Sequence, residues 1–95
     1  MPAYVISEVE VLDSAAAEEY KTRAAASIAL YGGRYVARGA EAQVPEGRVA
    51  EGKMVIVEFP SMERIREWYA SPEYAEALKF RSRALRRRLM FVGGS

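Results

Sequence analysis

The chain has 95 residues, half of them hydrophobic, and its 14 Lys and Arg against 13 Asp and Glu leave a net charge of +1. A chain of this length buries about two-thirds of its unfolded surface, which excludes a second core, and its balance excludes both a disordered composition and a surface that attracts polyanions as a whole. It contains no Cys and no His, which removes disulfides, thiolate nucleophiles, imidazole bases and the usual ligands of zinc, iron–sulfur clusters and haem; no cofactor and no metal is expected.

Ala3 to Val11 (AYVISEVEV) is rich in β-branched residues, and Ser7, Glu8 and Glu10 interrupt the apolar positions as the two faces of a strand do. The segment has neither a basic leader nor a long apolar run, so no secretory signal is expected. No stretch approaches the roughly 20 apolar residues that span a bilayer, so no membrane partner is expected and the cytoplasm is the simplest location. Asp13 can cap the alanine-rich run that follows, in which Tyr20, Ala24, Ile28 and Tyr31 fall at helical spacing. Gly32-Gly33 ends that helix, because glycine takes the left-handed turn without a Cβ clash.

A second strand is predicted from Arg34 to Val44, then a loop carrying Pro45, Gly47 and Gly52, then a third strand over KMVIVEF. Ser61 caps a short helix from Met62 to Ala70. Ser71-Pro72-Glu73 restarts a helix, each residue at a favoured first-turn position, and the pattern carries it to about Arg88. The closing LMFV reads as a fourth strand. The order βαββαβ predicts an α+β, ferredoxin-like sandwich over residues 1–95, a four-stranded antiparallel sheet with the helices on one face. Because Met54 to Val57 is apolar at every position, both faces of strand three need cover, and a second copy of the chain supplies it.

Several side chains could carry chemistry. Arg81 projects from the face that helical spacing gives to Tyr74, Leu78, Leu85 and Leu89; it is read either as a snorkelling or paired structural arginine or as an anion-binding one. Glu58 shares a strand face with Met54 and Ile56, and Glu8 shares one with Tyr4 and Ile6. Burial between subunits would make either carboxylate a general acid or base, whereas pairing with Arg34, Arg38 or Arg81 would make it structural. Arg38 with Gly39 suits a ligand carboxylate or phosphate approaching the backbone, or an edge strand guarded against aggregation. Trp68, Tyr69 and Tyr74 flank the break at Ser71-Pro72 and fill a core or interface, or cage a ligand. The run RSRALRRR is assigned to the outer side of the last helix; without interleaved aromatics it gives no nucleic-acid partner.

The segments GGRYVARGAEAQV and VIVEFPSMERIREWYASPEYAEALKFRSRA resemble the bacterial family known as domain of unknown function 1330, over nearly the whole chain. The matching positions include Gly32, Gly33, Arg34, Tyr35, Arg38, Gly39, Glu58, Phe59, Pro60, Ser61, Trp68, Tyr69, Ser71, Tyr74 and Arg81. Ala40 departs from a second glycine there. The resemblance implies a ferredoxin-like subunit that pairs sheet to sheet into a dimeric α/β barrel, and it implies no established reaction. The functional expectation is a homodimer with a small-molecule site in a cleft at the sheet face. In it Arg38, Gly39, Trp68, Tyr74 and Arg81 bind an anionic ligand and Glu58 accepts a proton; the alternative is a non-catalytic dimeric binding or interaction module.

Overall fold

The computed structural model describes all 95 residues. Strand β1 (Ala3–Val11) leads into helix α1 (Ser14–Leu30), followed by β2 (Arg34–Ala40), β3 (Lys53–Phe59), α2 (Met62–Tyr69), α3 (Pro72–Ala84) and β4 (Leu85–Gly93). The strands form one antiparallel sheet in the order β2-β3-β1-β4. This is the βαββαβ ferredoxin-like architecture, and its overall extents of 36 × 34 × 16 Å are those of a two-layer sandwich.

Local chemistry sets the boundaries. Asp13 accepts hydrogen bonds from the amides of Ala15 and Ala16 and starts α1, while Gly32, at φ +82°, turns the chain out of it. Ser61 caps α2 through the Arg64 amide, and Ser71 caps α3 through the Tyr74 amide with Pro72 in the first turn. Ser71 Oγ also donates to the Trp68 carbonyl at 2.7 Å, so one buried hydroxyl closes α2 and opens α3.

Two boundaries differ from expectation. The second strand ends at Ala40 instead of Val44, after register shifts at Tyr35/Ala37 and Arg38/Ala40 and a left-handed Gly39 at φ +70°; these bulges twist the edge strand out of the ladder. The last helix stops at Ala84 instead of Arg88. Leu85 is already extended at φ −155°, ψ 156°, and β4 runs along β1 for nine residue pairs, from Leu85 opposite Val11 to Gly93 opposite Ala3. No loop separates α3 from β4, and the Ala84 carbonyl accepts from both the Leu12 and Asp13 amides, at 2.8 and 3.3 Å. Arg86, Arg87 and Arg88 of the arginine run therefore lie on a strand, and Arg81 and Arg83 on the helix.

Strand alternation sorts the side chains. Ala3, Val5, Ser7, Val57, Phe59 and Leu85 are buried against the helices, joined by Ile65, Trp68, Tyr74 and the small residues Ala16, Ala17, Ala24, Ala77 and Ala84. Tyr4, Ile6, Glu8, Met54, Ile56, Glu58, Met90 and Val92 occupy the opposite face, which no helix covers.

Candidate functional site

A cleft of about 220 Å³ opens between α1 and the helix-side face of the sheet. Its walls are apolar: Val5, Val9 and Val11 from β1, Val55 and Val57 from β3, Leu85 from β4, and Ala24 and Ile28 from α1. The alanines of α1 are short, which leaves this space beneath the helix. The polar lining is Ser7, Tyr20, Lys21, Tyr35, Arg38, Lys53 and Arg87, so four cationic side chains border the cleft and no carboxylate does.

At one end Arg87 spans two phenols. Its Nη1 donates to the Tyr20 oxygen at 2.7 Å and its Nη2 to the Tyr74 oxygen at 2.8 Å, while the two phenol oxygens lie 2.6 Å apart. Tyr74 is wholly buried behind the cleft and Tyr20 borders it. Burial, reinforced by the neighbouring Tyr74, pushes the Tyr20 phenol far above its ordinary range, so it stays protonated. Burial alone would lower the pKa of Arg87, but the two phenol oxygens outweigh it and hold the guanidinium above its usual value. Arg87 makes no ion pair. A half-buried cation with only neutral acceptors is an uncompensated charge, a costly arrangement unless an anion completes it.

At the mouth, Arg38 stacks over the Tyr35 ring, 4.2 Å from its centroid, and is likewise without an ion pair. Burial raises the Tyr35 phenol while Arg38 draws it down. Lys53 and Lys21 are partly neutralised by Glu41 at 2.7 Å and Glu18 at 3.8 Å. Gly39 borders the cleft with open space where a side chain would stand.

The residues singled out from sequence do not converge. Arg38 and Gly39 line the cleft and Tyr74 reaches it through Tyr20 and Arg87. Trp68 is core: 2% exposed, with ring centroids 4.2 Å from Tyr74 and 5.3 Å from Phe59, and its indole N–H donates to Ser27 Oγ at 3.0 Å. Glu58 is on the other face of the sheet, where it pairs with Arg34 and lies 3.5 Å from the Tyr4 hydroxyl. Strand alternation puts it there, because its neighbours Val57 and Phe59 take the helix side. Arg81 does not border the cleft; its Nε is buried without a hydrogen-bond partner and the side chain makes no ion pair. Arg87 and Tyr20 were missed. The alternation Leu85, Arg87, Leu89, Phe91 carries the signal for Arg87.

The model of the family described as a domain of unknown function, DUF1330, matches residues 2–95. The chain belongs to the DUF1330 family. No curated protein matches it. Among solved structures, this DUF1330 chain is similar to a protein of unknown function from Rhodopseudomonas palustris, with 22% identity, 99% of this chain and 82% of that chain covered, and a TM-score of 0.79. It is also similar to SnoaB from Streptomyces nogalater, a cofactor-independent oxygenase, at 15% identity, with coverage of 99% and 93% and a TM-score of 0.70. A third is a protein of unknown function from Bacteroides fragilis, described as dimeric and ferredoxin-like, at 13% identity, 98% and 96% coverage and a TM-score of 0.64. At these identities the likeness is one of fold.

Proposed function

We propose that this DUF1330 chain binds a small, largely apolar molecule carrying a negative charge, in the cleft between α1 and the sheet. The observation that carries the reading is Arg87, a half-buried guanidinium held by two phenols, facing an apolar cleft bordered by cations and by no carboxylate. Apolar walls supply affinity through desolvation, and the cationic ends fix the charged group. Arg38 and Gly39 form the mouth, where a second polar group of the ligand meets the guanidinium. Glu58, paired with Arg34 on the opposite face, has no part in this cleft.

The test uses 2-naphthoate as probe, followed by its own fluorescence. Binding should weaken at least tenfold, a loss of about 1.4 kcal/mol, in Arg87→Met, and 2-naphthylmethylamine should bind far more weakly than 2-naphthoate. Equal binding of the amine and the acid, or no effect of Arg87→Met, refutes the reading.

Catalysis at the same cleft is the second reading. The Arg-clamped phenol pair favours it, as an arrangement able to hold an oxyanion without a cofactor, and SnoaB, of similar fold, is a cofactor-independent oxygenase.

We further propose that two copies pair through the uncovered sheet face. Ile6, Met54, Ile56 and Met90 form its apolar centre, Val92 is 42% exposed beside them, and a protein of similar fold is described as dimeric. The same face serves the alternative, a non-catalytic dimeric module. Sedimentation should give a dimer of the 10.6 kDa chain, and Ile56→Arg should give a monomer; a wild-type monomer at micromolar concentration refutes the pairing.

A further inference from the structure

Three oxygen and nitrogen groups meet at the end of the cleft, and counting their protons fixes a direction. Each phenol has one proton to donate and two lone pairs to accept with. Arg87 donates to both oxygens, and the 2.6 Å separation between Tyr20 and Tyr74 requires one phenol to donate to the other. The donor phenol then has its proton engaged. The acceptor phenol receives two hydrogen bonds and keeps its own proton unengaged. Neither hydroxyl has any further partner within the chain.

The two possible directions are unequal. If Tyr20 donated, the spare proton would belong to Tyr74, which has no exposed surface and does not border the cleft. A buried donor left unpaired is costly. If Tyr74 donates, the spare proton belongs to Tyr20, which borders the cleft and can give it to a bound molecule. The second arrangement leaves no unengaged proton in the core and puts the spare one on a residue that borders the cleft. Arg87, bonded to the Tyr20 oxygen, also polarises that O–H and strengthens it as a donor.

We propose that Tyr20 selects the ligand: its O–H, released by Tyr74 and backed by Arg87, donates to an unprotonated oxygen of the bound molecule, a carbonyl or a carboxylate. This rests on the cleft reading above and adds a requirement that charge alone does not impose. A neutral ketone with apolar flanks should be accepted, and an apolar molecule of the same shape without the oxygen should not. The raised pKa of the Tyr20 phenol supports the assignment, because the group keeps its proton throughout the neutral and mildly alkaline range.

The experiment compares 2-acetylnaphthalene with 2-isopropenylnaphthalene, which has a methylene in place of the carbonyl oxygen, alongside 2-naphthoate and plain naphthalene. Wild-type protein should bind the ketone at least tenfold more tightly than its alkene counterpart. Tyr20→Phe should lose that preference and bind naphthalene as wild type does, which shows that its cleft is intact. The wild-type comparison needs no variant, so it decides the matter even if Tyr20→Phe folds poorly. If wild type binds 2-naphthoate but the ketone and alkene bind equally, the Tyr20 assignment falls and the cleft reading stands. Retention of the ketone preference in Tyr20→Phe has the same consequence. If none of the four compounds binds, the cleft reading fails and takes the assignment with it.

Discussion

Replacing Ser27 by alanine removes one buried oxygen from the core. Ser27 Oγ accepts the indole N–H of Trp68 at 3.0 Å and donates to the Ala24 carbonyl at 2.8 Å, and both residues are 2% exposed. In Ser27→Ala the Trp68 N–H has no acceptor and no water, a penalty of about 1–3 kcal/mol. Alanine favours the helix over serine by about 0.5 kcal/mol, leaving a net loss of about 0.5–2.5 kcal/mol. For a domain of this size the middle of that range lowers the melting temperature by about 6–12 °C. The assay is urea unfolding followed by tryptophan fluorescence, since Trp68 is the single tryptophan and sits at the perturbed bond. Wild type and variant must be compared at one protein concentration, because any dimer makes apparent stability concentration-dependent. Followed by far-UV circular dichroism, since Trp68→Phe removes the single tryptophan, the double variant Ser27→Ala with Trp68→Phe should lose less than the sum of the two single losses, because the bond is lost only once. A single-variant loss below about 0.3 kcal/mol would mean that the indole N–H is satisfied elsewhere, and would refute the reasoning.

Two more outcomes are expected. Arg81→Met should leave unfolding free energy within about 1 kcal/mol of wild type, or raise it, because the Arg81 Nε has no hydrogen-bond partner and no acid is left unpaired by its removal; a loss of several kcal/mol in a denaturant melt would contradict this. In an alkaline titration followed at the tyrosinate absorbance, Tyr20 should ionise only with unfolding. Its folded pKa is raised above the ordinary phenol value of about 10, so its contribution to stability is fully present below that pH and is lost as pH rises toward the folded value. A Tyr20→Phe variant with the same steepness of alkaline destabilisation as wild type would overturn that assignment.

Much of the fold was legible because its signals are local. The apolar alternation of Ala3 to Val11, the Asp13 cap, the glycine pair after α1 and the Ser71-Pro72 restart each act within a few residues, and the structure places its elements there. The α3–β4 junction was not legible for the same reason. Arginine and leucine suit a helix as well as a strand, and Ala84 to Arg88 continues the helical pattern without a break. What decides is pairing with β1, at the far end of the sequence, which converts Leu85 onward into a ladder. The candidate site inherits that error: on a helix Arg87 decorates the outside, on the strand it faces Tyr20 and Tyr74. Arg38 and Gly39, singled out for their type and edge-strand position, border the cleft. Glu58 shares the uncovered sheet face with Met54 and Ile56, as strand alternation predicts, but alternation does not tell that the cleft opens on the other face, and Trp68 was absorbed by the core through Ser27, a partner 41 residues away.

The abrupt passage from α3 into β4 makes the molecule unequally tolerant of changes in length. A residue inserted or deleted between Ala84 and Leu85 would, if β4 kept its place beside β1, turn every later side chain to the opposite face. Arg86 or Arg88 would then enter the cleft and Arg87 would leave it, while Leu89 and Phe91 would exchange places with Met90 and Val92. The 41–52 connection has the opposite character: even doubling it costs only about 0.6 kcal/mol of closure entropy. Peptide tags, reporter domains and new chain ends therefore belong in that connection, and a library of random single-residue insertions should recover folded proteins from it and almost none from residues 83–86.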